Sequence, residues 1–263
     1  MRIFLNGKEA DTAAVTAFEL RAACGDVVIL NGYHIKSDRV LREGDELFII
    51  RKGVAPSRDE MGALMASRHS PGVHNRLKAG RIAVAGLGGL GSHAAALLAR
   101  MGVGTLLLVD CDIVEPSNLN RQHYAVSHLS MPKTRAMEQQ IADINPYVRV
   151  ETCDIKVTAE NAAEIFSGYP VVLEAFDDPA CKAELIETLL AAGETKIVAA
   201  SGMAGLGSAN DIVTRRRMKN LYICGDLTSA AGEGFGLMAP RVAVCAGHQA
   251  NMAVRLLLEM EDV

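Results

Sequence analysis

The chain of 263 residues is 49% apolar, with 24 glycines, no tryptophan, and 27 basic against 31 acidic side chains for a formal net charge of −4. That apolar share can build a sizeable core in one large or two small domains, and the slightly acidic balance speaks against a nucleic-acid partner. No apolar run reaches the ~20 uninterrupted residues of a membrane span and no signal peptide opens the chain, so a cytoplasmic protein without membrane association is expected.

Residues 1–53 have a character of their own. Arg2-Ile3-Phe4-Leu5 followed by Asn6-Gly7 predicts a strand entering a hairpin turn. Ala13–Cys24 reads as helix, Val27–Leu30 with Asn31-Gly32 as strand and turn, and Glu43–Ile50 as strand again. Pro56-Ser57 then marks a linker, with a helix over Arg58–Ser67. The organisation expected is a small domain over 1–53, a linker and helical lead-in over 54–80, and a larger domain over 81–263.

From residue 81 onward, strands alternate with helices. Arg81–Ala85 is a short buried strand, and Gly86, Gly88 and Gly91, with Gly89 between them, fit G-x-G-x-x-G ahead of an Ala/Leu-rich helix over Ser92–Met101. Glycine allows a sharp turn and close approach of a phosphate, and the helix start supplies free N–H groups. The strand Thr105–Val109 ends in Asp110, about 20 residues after the last glycine, where an acid normally holds a ribose hydroxyl. Further strands are expected over 148–153, 170–175, 196–200 and 221–224, with helices Lys133–Ile144 and Pro240–Met260. The fold class is therefore α/β, a doubly wound Rossmann-like sheet.

To this point NAD fits as well as ATP. The polar loop Asp110–Gln122 and the Pro132-Lys133 helix start then bring Arg121 and Lys133 toward the nucleotide. Hydride transfer needs no such cation pair, whereas a triphosphate losing pyrophosphate does, because negative charge builds on the leaving oxygens. The buried strand Pro170–Ala175 ends in Phe176-Asp177-Asp178, and a carboxylate at that place suits a magnesium ligand. Asp177 ahead of Pro179 equally suits a helix N-cap.

Together these segments resemble the ThiF/MoeB family. The resemblance rests on GLGGLGS at 86–92, DxDxVExSNLNRQ at 110–122, Pro132-Lys133, Ile144-Asn145-Pro146, and Glu174-Ala175-Phe176-Asp177-Asp178 with Lys182, which is similar to the family's Asp-x-x-Asp-Asn-x-x-x-Arg. It implies a homodimeric enzyme that attaches AMP to the C-terminal Gly-Gly carboxylate of a small sulfur carrier, with thiamine thiazole synthesis as the implied pathway. Carried over, Gly86, Gly88, Gly89, Gly91, Asp110, Asn118, Arg121, Gln122 and Lys133 bind ATP, Asp110 takes the ribose, and Asp177 holds Mg2+. The family's Arg-Tyr-x-Arg-Gln motif is matched by Arg68-His69-Ser70-Pro71-Gly72 only at Arg68, with Arg76 as a substitute for the second arginine.

Residues 1–53 resemble, more weakly, a ThiS-like β-grasp, the fold of the sulfur carrier itself. A carrier ends in a free Gly-Gly carboxylate, but here Arg51-Lys52-Gly53-Val54 continues, so this domain is not expected to be the substrate unless it is cleaved. The six cysteines show no Cys-x-x-Cys pair of the kind that binds zinc in many relatives, so no zinc is expected. Cys224 is the cysteine nearest Gly225–Pro240, where a residue bonding the carrier would be sought, and adenylation alone is the favoured chemistry. The competing functions are an NAD-dependent oxidoreductase and a catalytically silent carrier-binding module.

Overall fold

Asn6 and Gly7 both adopt left-handed backbone, with φ of 48° and 78°, as a type I′ hairpin requires. β1 (Arg2–Leu5) therefore turns back antiparallel as β2 (Lys8–Asp11). Asn31 and Gly32 repeat the device, with φ of 51° and 81°, between β3 (Val27–Leu30) and β4 (Tyr33–His34). β5 (Glu46–Ile50) completes a five-stranded sheet of order β2-β1-β5-β3-β4, in which only β1 and β5 run parallel. The computed structural model describes residues 1–69 and 71–263; Ser70, in the Arg68–Gly72 stretch discussed above, lies outside them.

The helix expected over Ala13–Cys24 is not formed. Only a 3-10 turn at Ala17–Leu20 remains. The backbone donors of this segment are taken elsewhere: Val15 N–H by Glu19, Ala17 N–H by the Arg39 carbonyl, and Ala22 and Ala23 N–H by Asp26. Local side-chain acceptors of this kind compete directly with helical hydrogen bonds. Ile3, Val28, Leu47 and Ile49 pack with Ala17 on one face of the sheet. Ile29, Phe48 and Ile50 form a cluster on the other face with Ala63 and Leu64 of α1 (Arg58–His69). The unbroken apolar run of β5 thus serves two covered faces.

The chain divides into two compact units, Met1–Arg76 and Leu77–Val263, the division falling within α2 (Pro71–Ala79). The second unit is built on β6 (Arg81–Ala85), α3 (Gly89–Met101), β7 (Thr105–Val109), α4 (Lys133–Ile144), β8 (Arg149–Cys153) and α5 (Ala159–Ile165). β9 (Val171–Glu174), α6 (Pro179–Ala192), β10 (Lys196–Ala200), β11 (Val213–Met218), β12 (Leu221–Gly225) and α7 (Ala239–Leu257) follow. The sheet order is β11-β12-β10-β9-β6-β7-β8, parallel except for β11. Its strands are almost wholly apolar because helices cover both faces: α3, α4 and α7 pack together on one side, and α5 with α6 on the other. Arg216 and Arg217 are exposed on the edge strand β11, where such charges discourage pairing with another chain, while Arg215 is half-buried and donates to the Gly225 carbonyl.

After β8 the order reverses, so the chain returns to place β9 on the free side of β6. At such a switch point the loops leaving adjacent strands diverge and open a crevice at their carboxyl ends.

Candidate functional site

The glycine loop fills that crevice. Gly86 has φ of 90°, and a Cβ there would lie 2.8 Å from the Ala175 carbonyl oxygen. At Gly91 a Cβ would fall 1.8 Å from the Gly86 carbonyl oxygen, so this glycine serves close approach of α3 to the loop. Helix α3 begins at Gly89, three residues before the expected start, with Gly88 at its N-cap and no side chain capping it. Side chains missed by sequence reasoning brace the loop: Tyr124 Oη donates to the Leu87 carbonyl at 2.9 Å, and Ser92 Oγ donates to the Gly88 carbonyl at 2.6 Å. Gly91→Ala is expected to destabilise the second unit by roughly 1–3 kcal/mol, as overpacking does, and to weaken nucleotide binding sharply. Calorimetric titration checks this, and wild-type affinity would show that the loop has room to shift.

Asp110, at the end of β7, is 9% exposed in its side chain. Its carboxylate accepts the Leu87 N–H at 2.6 Å and the Asp112 N–H at 2.8 Å. Burial pushes its pKa up, against the opposing pull of Lys133 and these two hydrogen bonds. Lys133, in the first turn of α4, places Nζ 2.7 Å from Asp112 Oδ2 and 3.9 Å from Asp110 Oδ1. Asp110, Cys111 and Asp112 are close enough to chelate an ion, but the Lys133 ammonium already serves both carboxylates. Arg121 is half-buried and donates to the Ser117 carbonyl and to Asn120 Oδ1. Among the described residues it forms no ion pair, so its charge is available.

The turn after β9 gives the capping role to the neighbour of Asp177. Asp178 caps α6, accepting the N–H groups of Ala180 and Cys181 at 2.8 and 2.9 Å. Asp177 is exposed on the cavity wall, without a hydrogen bond among the described residues, so its oxygens suit a hard cation. Behind it lies a pair that the sequence did not assign. Glu174 is fully buried, ion-paired to Lys182, and accepts the Phe176 N–H at 2.8 Å. Burial raises its pKa and Lys182 opposes the rise.

Gly86, Gly88, Gly89, Asp110, Arg121, Gln122, Lys133 and Asp177 all line one cavity of about 670 Å³, within the range of small-molecule sites. Gln122 is buried and its Oε1 has no partner among the described residues, an acceptor that a ligand would satisfy. Gly91 and Asn118 do not line the cavity. Asn118 is instead a brace whose Oδ1 accepts the Glu115 N–H at 3.0 Å. Arg68 and Arg76 belong to the first unit, in α1 and α2.

The glycine-containing segment after β10, Ser201–Ser208, adds Ser201, Gly202, Met203 and Ala204 to the cavity wall, and Ser229, Ala230 and Ala231 join them. Arg241 holds these two loops together, donating to the Ala204 carbonyl at 2.5 Å and pairing with Asp226 at 2.6 Å. Asp226 is partly penalised by burial, but hydrogen bonds from Ser229, Thr228 and Arg241 hold its pKa well below the usual carboxylate range. No sequence spacing signals this pair. His248 and Gln249 are held separately: His248 by Thr214, and the Gln249 amide N–H group by the Glu174 and Val198 carbonyls, while Gln249 Oε1 has no partner among the described residues. All six cysteines are free. Burial pushes the Cys224 thiol up to about 11 against a hydrogen bond with Thr214, leaving it unionised and a poor nucleophile.

Residues 63–263 match the ThiF family, and residues 1–53 match the ThiS-like ubiquitin family. The chain belongs to the ThiF family. Both expected fold classes, the Rossmann-like sheet and the ubiquitin-like domain, are thereby met. Among ThiF relatives, the adenylyltransferase and sulfurtransferase UBA4 of Yarrowia lipolytica is 30% identical over 188 residues, covering 69% of this chain and 46% of that protein. The corresponding protein of Pyricularia oryzae is 34% identical over 196 residues, covering 69% and 40%. The ThiF-family chain thus spans less than half the length of these relatives. A similar solved structure is the tRNA N6-threonylcarbamoyladenosine dehydratase TcdA of E. coli in complex with AMP, with a TM-score of 0.69 and 25% identity, covering 79% of this chain and 98% of that one.

Proposed function

We propose that this chain is an ATP-dependent adenylyltransferase acting on the C-terminal Gly-Gly carboxylate of a ThiS-like sulfur carrier. The observation that carries the reading is the convergence of the glycine loop, Arg121, Lys133 and Asp177 on one cavity at the switch point. The names of the UBA4 relatives support the reaction class, and the ThiS-like front domain supports a partner of that shape.

In this reaction a carrier carboxylate oxygen attacks the α-phosphorus of ATP. The bond from the α-phosphorus to the bridging oxygen breaks, pyrophosphate leaves with the electron pair, and the carrier is left as an acyl-adenylate. A carboxylate is already nucleophilic, so no general base is required and positioning with charge neutralisation carries the rate. The loop N–H groups at Gly88 and Gly89 hold phosphate, Asp110 faces the ribose, and Arg121 and Lys133 neutralise the leaving charge. Ser201, Gly202 and Ala204, the small residues of the 201–204 wall, leave room for a thin Gly-Gly tail.

Mg2+ fits the same wall. Asp177 would hold it, since its neighbour Asp178 does the capping, and the ion would neutralise phosphate charge. Residues 81–263 are assigned the chemistry, and residues 1–53 lack the free terminus a substrate needs. A homodimer in the cytoplasm, with Arg68 or Arg76 completing the ATP site and a role in thiamine synthesis, completes the proposal.

The test is ATP–pyrophosphate exchange with magnesium and a small protein ending in Gly-Gly. Exchange that depends on the carrier is expected. No exchange, with thermal stabilisation by NAD instead of ATP, would turn the reading toward an oxidoreductase.

A further inference from the structure

Three charged side chains meet beside the glycine loop, and they are held very unequally. Both Asp110 carboxylate oxygens accept backbone N–H groups, from Leu87 and Asp112, so this acid is fixed. Lys133 is 8% exposed in its side chain and its own N–H donates to the Asp112 carbonyl at 2.9 Å, so the cation is fixed too. Asp112 differs. Its backbone is tied on both sides, but its side chain is 64% exposed and its one strong contact is Lys133 Nζ at 2.7 Å. Rotating that carboxylate into water breaks a single ion pair and disturbs no other strong bond.

A phosphate approaching Lys133 therefore meets a carboxylate already on the ammonium. We propose that Asp112 competes with nucleotide phosphates for Lys133, and so sets how much negative charge a ligand must bring to be bound. A triphosphate carries enough charge to displace Asp112, whereas a single phosphate is held less well. When pyrophosphate leaves, Asp112 can return to the ammonium, so that Lys133 does not retain the product. This rests on the reading of Lys133 as a phosphate ligand.

The test is calorimetric titration of the full-length protein with ATP and with AMP, at fixed salt and magnesium. Asp112→Asn should tighten ATP by several-fold, up to about tenfold, the upper end of what a partly exposed ion pair is worth, and AMP by clearly less. Asp112→Ala should show the same gain, since the side chain is mostly exposed. Because Asp112 acts through Lys133, the ATP gain should largely vanish when Asp112→Asn is made in a Lys133→Met background. Unchanged or weaker ATP binding, an equal gain for AMP, or a full gain surviving in that background would each overturn the inference. Wild-type protein that binds no ATP would instead sink the reading of the site as a whole.

Discussion

Lys133→Ala is expected to slow carrier-dependent ATP–pyrophosphate exchange by roughly 10²–10³, the usual cost of removing one preorganised donor to developing charge. The expectation follows from placement. The Lys133 side chain is only 8% exposed in a cavity wall, where a charge acts with less screening than on an open surface. The first turn of α4 holds it there, and Thr134 ties that turn to Asp154 beyond β8. Such a group is already in position when charge develops on the leaving oxygens. Removing it also leaves Asp110, whose pKa burial already raises, without the cation that opposes the rise. Exchange rates under saturating ATP measure the effect, with thermal unfolding as the control for folding. A rate within a few fold of wild type would remove Lys133 from the chemistry.

The second large effect is on stability. Lys182→Met leaves Glu174, fully buried, without its counter-charge, and breaking a buried pair by removing one partner costs roughly 3–5 kcal/mol. For a unit of this size the melting temperature should fall by roughly 6–20 °C. The loss should depend on pH in a definite sense. Burial places the folded-state pKa of Glu174 above its ordinary 4.5, and losing Lys182 raises it further. The folded state then binds the proton more tightly than the unfolded chain does, so stability falls as pH rises above the ordinary carboxylate range. The deficit against wild type should therefore shrink as pH is lowered toward 4.5. Adding Glu174→Gln to Lys182→Met should recover much of the loss at neutral pH. A melting temperature unmoved by Lys182→Met would mean that water already reaches Glu174.

Much of the second unit was legible because its signals are local. The strands Arg81–Ala85, Thr105–Val109 and Lys196–Ala200 and the helix Lys133–Ile144 carry their apolar pattern within a few residues, and the structure reproduces those bounds. The glycine loop and both Asn-Gly hairpins were readable for the same reason: backbone with positive φ favours few residue types. The helix expected over Ala13–Cys24 failed because most of its competitors lie outside the window, Glu19 being the one within it. Arg39 and Asp26 claim donors that an isolated segment would use itself.

The sequence by itself determined the parallel strands from Arg81 to Ala200, the helix Lys133–Ile144, the glycine turn, and the residue types that meet at the cavity. Each follows from periodicity or from the chemistry of one residue. Tertiary structure alone decided which of two adjacent acids caps α6, because Asp177 and Asp178 are identical in type and only the turn after β9 distinguishes them. It also decided that Asn118 braces a loop, that Arg241 joins Asp226 to the Ala204 carbonyl, and that Asp112 lies on Lys133. Except for Asn118, these pairings join residues far apart in the chain, and their geometry exists only once the sheet has brought the ends of β7, β9, β10 and β12 together.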